Sequence, residues 1–202
     1  MRKVAGVGCI ALGLICLLIS IGFIFYNRYE AERGEKASQV LLQTVQTNML
    51  AEQPENVEDG MVRQEAGASR MRTVLVDDYD SIGILSIPVL ELELPVLTDW
   101  SYEKLKKAPC HYYGSCYETD FVIAAHNYPA HFGRLSQLQA GDLVIFTDVT
   151  GTNHCYEVVL LETLAPTAVE EMIASGFDLS LYTCTPGGGN RVTVRCTALS
   201  AT

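Results

Sequence analysis

An uncharged and largely apolar stretch runs from residue 4 to residue 26. A helix of about 20 apolar residues spans the hydrocarbon core of a bilayer, so this stretch is long enough to cross a membrane once. It is longer than the apolar region of a cleaved signal peptide, which is about 7 to 15 residues, and no small-residue cleavage site follows it. We therefore expect a retained transmembrane anchor over residues 4–26.

The charges on either side of this stretch predict its orientation. Arg2 and Lys3 precede it, whereas residues 27–36 carry charges of both signs. Because positive residues accumulate on the cytoplasmic side, we expect residues 1–3 to be cytoplasmic and the rest of the chain to be exported. The prediction is a single-pass protein of the plasma membrane.

The remainder of the chain divides by composition into a connecting segment and one domain. Residues 27–50 are charged and then moderately apolar, which is typical of a helical stalk, and residues 51–72 lack a hydrophobic period, which indicates a flexible tether. We therefore assign residues 27–72 to a stalk and tether and residues 73–202 to a single folded domain.

The folded domain is acidic. Residues 73–202 contain sixteen acidic and six basic side chains. A protein that binds nucleic acid normally presents a basic patch to the phosphates, so we exclude nucleic acid as a partner.

Short β-rich runs bounded by Gly, Pro, Asp and Asn fill most of this domain. The predicted strands are residues 82–87, 92–97, 121–125, 142–146, 156–161, 179–183 and 191–194. Short helices are expected at residues 101–107 and 168–175, the second started by a capping box of Thr167 and Glu170. The domain is predicted to be mainly β, an antiparallel barrel or sandwich.

One predicted hairpin places a thiol opposite a guanidinium. A strand ends at Cys184, a loop of six residues follows, and the next strand begins at Arg191. Paired residues of a hairpin lie about 5 Å apart at Cα, with their side chains on the same face. Arg195 shares this face but lies about 13 Å farther along the strand. Arg191 is therefore the better partner, since its charge favours the thiolate and stabilises an oxyanion in acyl transfer.

The chain has four histidines, and one of them is placed to assist a cysteine nucleophile. Such a nucleophile needs a group that protonates the leaving amine, most often a histidine. His126 follows the apolar run 121–125 directly, at the mouth of a strand, whereas His111, His131 and His154 lie in polar or turn-like sequence. His126 is the predicted partner of Cys184.

These residues, in this order, resemble the sortases, the cysteine transpeptidases of Gram-positive cell surfaces. The resemblance covers roughly residues 80–197, and the Thr-Leu-x-Thr-Cys signature of that family appears as residues 180–184, with Ser180 in place of the first Thr. It implies a closed eight-stranded β-barrel with short helices, preceded by one transmembrane helix. Residues 73–202 would then be the catalytic domain.

The resemblance also implies a site and a reaction. It makes Cys184 the nucleophile, His126 the general acid/base, Arg191 the positioning or oxyanion-stabilising cation, and Thr183 a substrate-contacting hydroxyl. The implied substrate is an LPxTG-like sorting signal of a secreted surface protein, cleaved after Thr through a thioacyl intermediate. The implied acceptor is an amine of a peptidoglycan precursor or a pilin. Residues 51–72 contain no Asp-Pro-aromatic lid motif, which disfavours pilin polymerisation.

Two other functions remain open at this point. The chain would be a cysteine endopeptidase if water is the acceptor, and a non-enzymatic module that binds the cell envelope if Cys184 performs no chemistry.

The remaining cysteines of the domain allow several arrangements. Cys110 and Cys116 can form a disulfide, or Cys110, Cys116, Cys155 and Cys196 can stay unlinked. A third arrangement is a zinc site assembled from Cys110, His111, Cys116, His154 and Cys155. Their spacing matches no standard zinc motif, so we expect no metal and no cofactor. Dependence on Ca²⁺ is left open, since no EF-hand pattern is present.

Overall fold

The protein is described here by a computed structural model that covers residues 2–51 and 71–199. The chain divides into two compact units, Met1–Arg33 and Gly34–Thr202. Most of the predicted tether, residues 52–70, lies outside the described residues.

One long helix, α1 (Arg2–Ala51), forms the N-terminal part of the chain. Its residues 12–26 are exposed throughout. Among the described residues, one helical segment, Leu12–Leu50, is long and apolar enough to cross a membrane. A signal sequence near the N-terminus meets the same criteria of length and composition, so the anchor stays a prediction.

The C-terminal part of α1 belongs to the second unit. Leu41 and Val45 are buried in a cluster that includes Val74. The side-chain amide of Asn48 donates a hydrogen bond of 2.9 Å to the carbonyl of Leu75. Residues 34–50 therefore pack on the folded domain, whereas their sequence had suggested a stalk.

Within residues 71–199, nine strands form one sheet that closes on itself. In chain order they are β1 (Val74–Val76), β2 (Tyr79–Ile87), β3 (Leu92–Leu97), β4 (Cys110–Tyr113), β5 (Phe121–Ala124), β6 (Leu143–Asp148), β7 (Asn153–Leu164), β8 (Leu179–Cys184) and β9 (Arg191–Ala198). The order around the barrel is β2-β3-β4-β5-β8-β9-β7-β6, and β2 pairs with β6 to close it. β1 pairs with β2 at the edge. The predicted closed eight-stranded barrel is confirmed.

Strand β2 closes the barrel by pairing with β3 on one side and β6 on the other, and Gly83 takes part in both pairings. Its register against β3 shifts between Ser81 and Gly83, and the φ angle of Gly83 is 150°. A Cβ atom at this position would collide with the carbonyl oxygen of Thr147 on β6. Glycine therefore permits the close approach of β2 and β6.

Two strand pairs are parallel, which differs from the expected antiparallel sheet. β3 pairs with β4 and β5 pairs with β8 in parallel, so the barrel is mixed. Strand β1 was not predicted because three residues are too short to show a period, and β4 was not predicted because its sequence, Cys-His-Tyr-Tyr, is not an apolar run. The β5–β8 pair is the one that matters for the site, since it joins the histidine strand to the cysteine strand.

The helices of the second unit are short. α2 (Tyr102–Leu105) begins after Ser101, whose hydroxyl accepts a hydrogen bond of 3.2 Å from the backbone N–H of Lys104. α3 (Val169–Ile173) has Ala168 at its N-cap and no side-chain cap, so the predicted capping box of Thr167 and Glu170 is wrong. Single 3-10 turns lie at Pro88–Leu90 and Leu135–Gln137.

Strand β5 is buried along its whole length because it separates two apolar clusters. Phe121 and Ile123 point into the main core of the barrel. Ala124 belongs to the second cluster, under α1, together with Leu41 and Val45. A strand packed on both faces is a rigid support for the residues that follow it, and the second residue after β5 is His126.

Candidate active site

Cys184 and Arg191 are direct partners at the loop end of the β8–β9 hairpin. The loop between them is closed by Thr185, whose backbone N–H donates to the carbonyl of Asn190 at 3.0 Å. Gly187 and Gly188 adopt positive φ angles of 84° and 76°, which residues other than glycine rarely adopt. The predicted pairing of Cys184 with Arg191 is confirmed.

The parallel pairing of β5 with β8 brings His126 to the same end of the barrel. Ala124 is paired with Tyr182, and the backbone N–H of Ala125 donates to the carbonyl of Tyr182 at 3.2 Å. Two residues farther along each strand are His126 and Cys184. Both line one cleft of about 230 Å³, together with Arg191.

Thr183 lies under the cleft and not on its surface. Its side chain is 3% exposed, and its hydroxyl donates a hydrogen bond of 2.8 Å to the carbonyl of Ala125. The bond ties the residue before Cys184 to the residue before His126. The hydroxyl is therefore placed to hold the two strands together, and a direct substrate contact by Thr183 stays a prediction.

Arg191 and Arg195 have different surroundings. Arg191 lines the cleft, and its guanidinium donates to the loop carbonyls of Gly188 at 3.2 Å and Asn190 at 3.1 Å. Arg195 is 1% exposed. Its partners are the carboxylate of Glu162, the hydroxyl of Ser180, and the carbonyls of Glu171 and Met172. Arg195 therefore anchors the β7–β8 connection, which leaves Arg191 as the cation of the cleft.

The imidazole of His126 is held toward its neutral form. Burial lowers the pKa of His126 below its ordinary value of 6.5, and the positive charge of Lys106 lowers it further. At neutral pH the ring is mainly neutral and can accept a proton. On one side it packs against the ring of Tyr128, at 5.0 Å between centroids.

Tyr128 in turn lies beside helix α1. A Cβ atom built on Gly34 would lie 2.9 Å from the Tyr128 ring and 2.9 Å from the carbonyl oxygen of Lys106. The absence of a side chain at residue 34 is what lets α1 approach this part of the site. No local sequence pattern connects Lys106, Tyr128 or Gly34 with His126, so their place at the site was not predicted.

Aromatic and apolar side chains form the walls of the cleft. Trp100, Tyr112 and Tyr182 pack in a row, with centroids of successive rings 5.9 Å and 5.3 Å apart. Further lining comes from residues 165–172, between β7 and β8. Tyr182 was predicted as part of a strand and the other wall residues were given no role, since their shared role appears only once the barrel has closed.

A second thiol, imidazole and carboxylate meet outside this cleft. Cys116, Asp148 and His154 have donor atoms within 4.8 Å of one another, which is also the composition of a cysteine catalytic site. Burial and the charge of Asp148 raise the pKa of the Cys116 thiol to about 12, so the thiol is protonated at neutral pH and a poor nucleophile. We therefore place the candidate nucleophile at Cys184.

The other histidines and cysteines do not line the cleft. A ring nitrogen of His111 lies 2.9 Å from the carbonyl oxygen of Gly114, and burial lowers the pKa of His131 to about 4. Burial raises the pKa of the Cys110 and Cys196 thiols to about 12. Cys16, Cys110, Cys116, Cys155, Cys184 and Cys196 are free cysteines.

The closed barrel thus carries a cysteine, a histidine and an arginine in one cleft at its end. The sortase domain model matches residues 85–199, which is more than half of the chain. The chain therefore belongs to the sortase family, whose members are cysteine transpeptidases. No curated protein matches it in sequence.

Three similar solved structures are sortases of classes A and C. Sortase C1 from Streptococcus suis is 29% identical, with a TM-score of 0.53 over 60% of this chain and 74% of that chain. Sortase A from Corynebacterium diphtheriae is 23% identical, with a TM-score of 0.56 over 61% of this chain and 63% of that chain. Sortase C1 from Streptococcus agalactiae is 24% identical, with a TM-score of 0.55 over 63% of this chain and 72% of that chain. The chain thus spans less than two thirds of the C. diphtheriae structure, and the two matches under 25% identity show a shared fold.

Proposed function

We propose that this chain is a membrane-anchored sortase that cleaves an LPxTG-like sorting signal after its Thr and transfers the acyl group to an amine. The acceptor is an amine of a cell-wall precursor or of a pilin. The observation that supports the proposal most strongly is that Cys184, His126 and Arg191 line one cleft at the end of the barrel.

The first half-reaction forms a thioester. The neutral imidazole of His126 accepts the proton of the Cys184 thiol, and the thiolate attacks the carbonyl carbon of the substrate Thr. The guanidinium of Arg191 turns from its loop carbonyls toward the developing oxyanion. The His126 imidazolium then returns the proton to the departing amine, so that the peptide bond breaks and the thioester remains.

The second half-reaction uses the same groups in the opposite direction. The acceptor amine attacks the thioester carbonyl, His126 takes the proton that the amine loses, and the Cys184 thiolate leaves. Water gives a free carboxylate by the same route. The outcome therefore depends on which acceptor reaches the thioester first.

The walls of the cleft suit the apolar part of such a signal. Trp100 and Tyr102 are exposed, at 43% and 74%, and both line the cleft. Their rings meet edge to face at 5.6 Å between centroids. Leu and Pro side chains of a peptide would bury apolar area against these rings.

The membrane-anchored state is proposed from α1. A span over residues 4–26 would place the active-site unit close to the surface at which secreted proteins emerge. In this proposal residues 1–3 stay in the cytoplasm and residues 73–202 face outward. External protease added to protoplasts should then remove the barrel, whereas degradation only after lysis would contradict this orientation.

Product analysis with the full-length protein tests the reaction. The protein is incubated with a library of LPxTG-like peptides, with and without triglycine, and products are identified by mass. Ligated product that requires Cys184 supports a transpeptidase, and hydrolysed peptide alone indicates an endopeptidase. Peptide binding without cleavage indicates a binding module. Cys184→Ala should abolish both products, and Cys155→Ala, which changes a cysteine outside the cleft, should abolish neither.

A further inference from the structure

A group formed by Cys116, Asp148 and His154 lies at the end of the barrel opposite the active-site cleft. It borders a pocket of about 370 Å³ whose lining includes Cys116, His154 and Asp178. Asp178 precedes β8, and Cys184 ends that strand. Six residues of extended chain measure about 20 Å, so the two sites are well separated.

The side chains of Cys116, Asp148 and His154 each offer one atom that can bind a metal ion, and these three atoms already lie close together. Nε2 of His154 is 3.2 Å from Oδ2 of Asp148, and the sulfur of Cys116 is within 4.8 Å of the other two donor atoms. Zinc bonds of about 2.0–2.3 Å place tetrahedral ligands roughly 3.3–3.6 Å apart. The sulfur therefore needs to move by at most about 1.5 Å to complete three corners of a tetrahedron.

The surroundings orient this group and leave one side open. The hydroxyl of Tyr117 donates to Oδ2 of Asp148 at 3.0 Å. Oδ1 of Asp148 accepts from the backbone N–H groups of Thr150 at 2.9 Å and Thr152 at 3.1 Å. These bonds hold the carboxylate in place, as outer partners do in metal sites. The pocket in front of Cys116 and His154 provides room for a fourth, non-protein ligand.

The charge balance favours a cation. Asp148 is 2% exposed, and its one ion pair in the described part of the chain is with His154. Glu118 and Asp178 add carboxylates to the pocket, and its lining contains no Lys or Arg. A concave surface with charge of one sign concentrates ions of the opposite sign.

We propose that Cys116, Asp148 and His154 form a binding site for a divalent transition-metal ion of the zinc class, separate from the Cys184 cleft. Binding exchanges the thiol proton of Cys116 for the metal, and the proton leaves to solvent. The site holds three protein ligands and one exchangeable position. This differs from the sequence prediction, which assigned no metal because the ligand spacing matched no known motif.

Cobalt titration of the full-length Cys184→Ala protein tests the site without interference from the cleft thiol. The thiols are kept reduced with a phosphine. We expect saturation at one Co²⁺ per chain with a thiolate-to-cobalt charge-transfer band, and displacement of the cobalt by Zn²⁺. Cys116→Ser in the same background should remove the band, and His154→Gln should weaken binding at least tenfold.

Cys155→Ser is the matched control, because Cys155 lines the same pocket but does not belong to the three-ligand group. It should leave the band and the affinity unchanged. Each variant is compared with its parent by circular dichroism, so that loss of fold is separated from loss of binding. Absence of saturable binding in the folded parent would overturn the proposal, as would a band that survives in Cys116→Ser. Neither result depends on peptide cleavage.

Discussion

The hydroxyl of Thr183 donates a hydrogen bond of 2.8 Å to the carbonyl of Ala125, and these residues directly precede Cys184 and His126. The bond crosses the parallel β5–β8 pair at the end where the cleft opens. This buried hydrogen bond therefore helps to fix the distance between Cys184 and His126, although neither of these two residues takes part in it.

Thr183→Val should lower kcat more than it changes KM. The substitution keeps the shape of the side chain but leaves the Ala125 carbonyl without its donor, which costs about 1 kcal/mol of stability. Thr183→Ser should restore much of the activity because it keeps the hydroxyl. Steady-state kinetics and thermal unfolding measure both effects.

Thr193→Val is the control for this change. The Thr193 hydroxyl is buried and has no hydrogen-bond partner among the described residues, so its removal should leave stability unchanged or slightly higher. If both valine variants lower kcat equally, the Thr183–Ala125 bond does not position the site.

Substitution of Arg191 should lower activity, whereas substitution of Arg195 should lower stability. Arg191→Met should reduce kcat/KM by about 100-fold or more, the usual loss when an oxyanion donor is removed, with little change in Tm. Arg195→Met should destabilise the protein by about 3 kcal/mol, because it removes the partner of Glu162 and of buried carbonyls. Urea unfolding and peptide cleavage measure the two effects. An active Arg191→Met enzyme would argue against the assigned role.

The acid limb of the pH–activity profile should reflect the protonation of the His126 imidazole. Below the pKa of His126 its imidazole is protonated and cannot accept the thiol proton, so kcat/KM should fall with decreasing pH, with a midpoint below about 6.5. Lys106→Gln removes a positive charge that disfavours the imidazolium. The pKa should therefore rise and the limb should move to higher pH.

Burial is the larger cause of the low His126 pKa, so the limb of Lys106→Gln should remain below about 6.5. Lys107→Gln is the control, since the Lys107 ammonium lies over the ring of Tyr79 at 5.0 Å. Its profile should match that of the wild type. If the acid limb of Lys106→Gln stays in place or moves to lower pH, the limb does not report the protonation of His126.

Gly34→Ala should slow the enzyme through Tyr128. Alanine favours a helix by about 0.5–1 kcal/mol, but the new methyl group would lie 2.9 Å from the Tyr128 ring and displace it from His126. A small misplacement of a catalytic group lowers kcat substantially, and we expect roughly a tenfold loss. Gly22→Ala adds the same methyl group to α1 with no atom within 4 Å, so it should have wild-type kinetics.

The parts of the site that sequence predicted well are local. Cys184 and Arg191 flank one short loop, and the period of two in a hairpin sets their register. His126 is far from Cys184 in the chain, and only the resemblance to the sortases connected them. In the structure, the parallel pairing of β5 with β8 brings the two residues together. These strands are not consecutive in the chain, so their pairing could not be predicted from local sequence.

The parts that sequence missed depend on tertiary packing. Cys116 and His154 were recognised as metal-ligand types, but Asp148, which lies between two predicted strands, was not. Asp148 forms the turn between β6 and β7 through its bonds to Thr150 and Thr152, while its other oxygen contacts His154. A local pattern shows one role of such a residue, and the second role appears only when β6 and β7 pair.

The most direct test of the proposed mechanism is to trap the thioester between Cys184 and the substrate Thr. Full-length wild-type protein and Cys184→Ala are incubated with an LPxTG-like peptide without an acceptor amine, quenched in acid, and analysed by intact mass and peptide mapping. We predict an adduct equal to the peptide up to and including its Thr, located on Cys184 and absent from the variant. An adduct on Cys116, or one that persists in Cys184→Ala, would contradict the account.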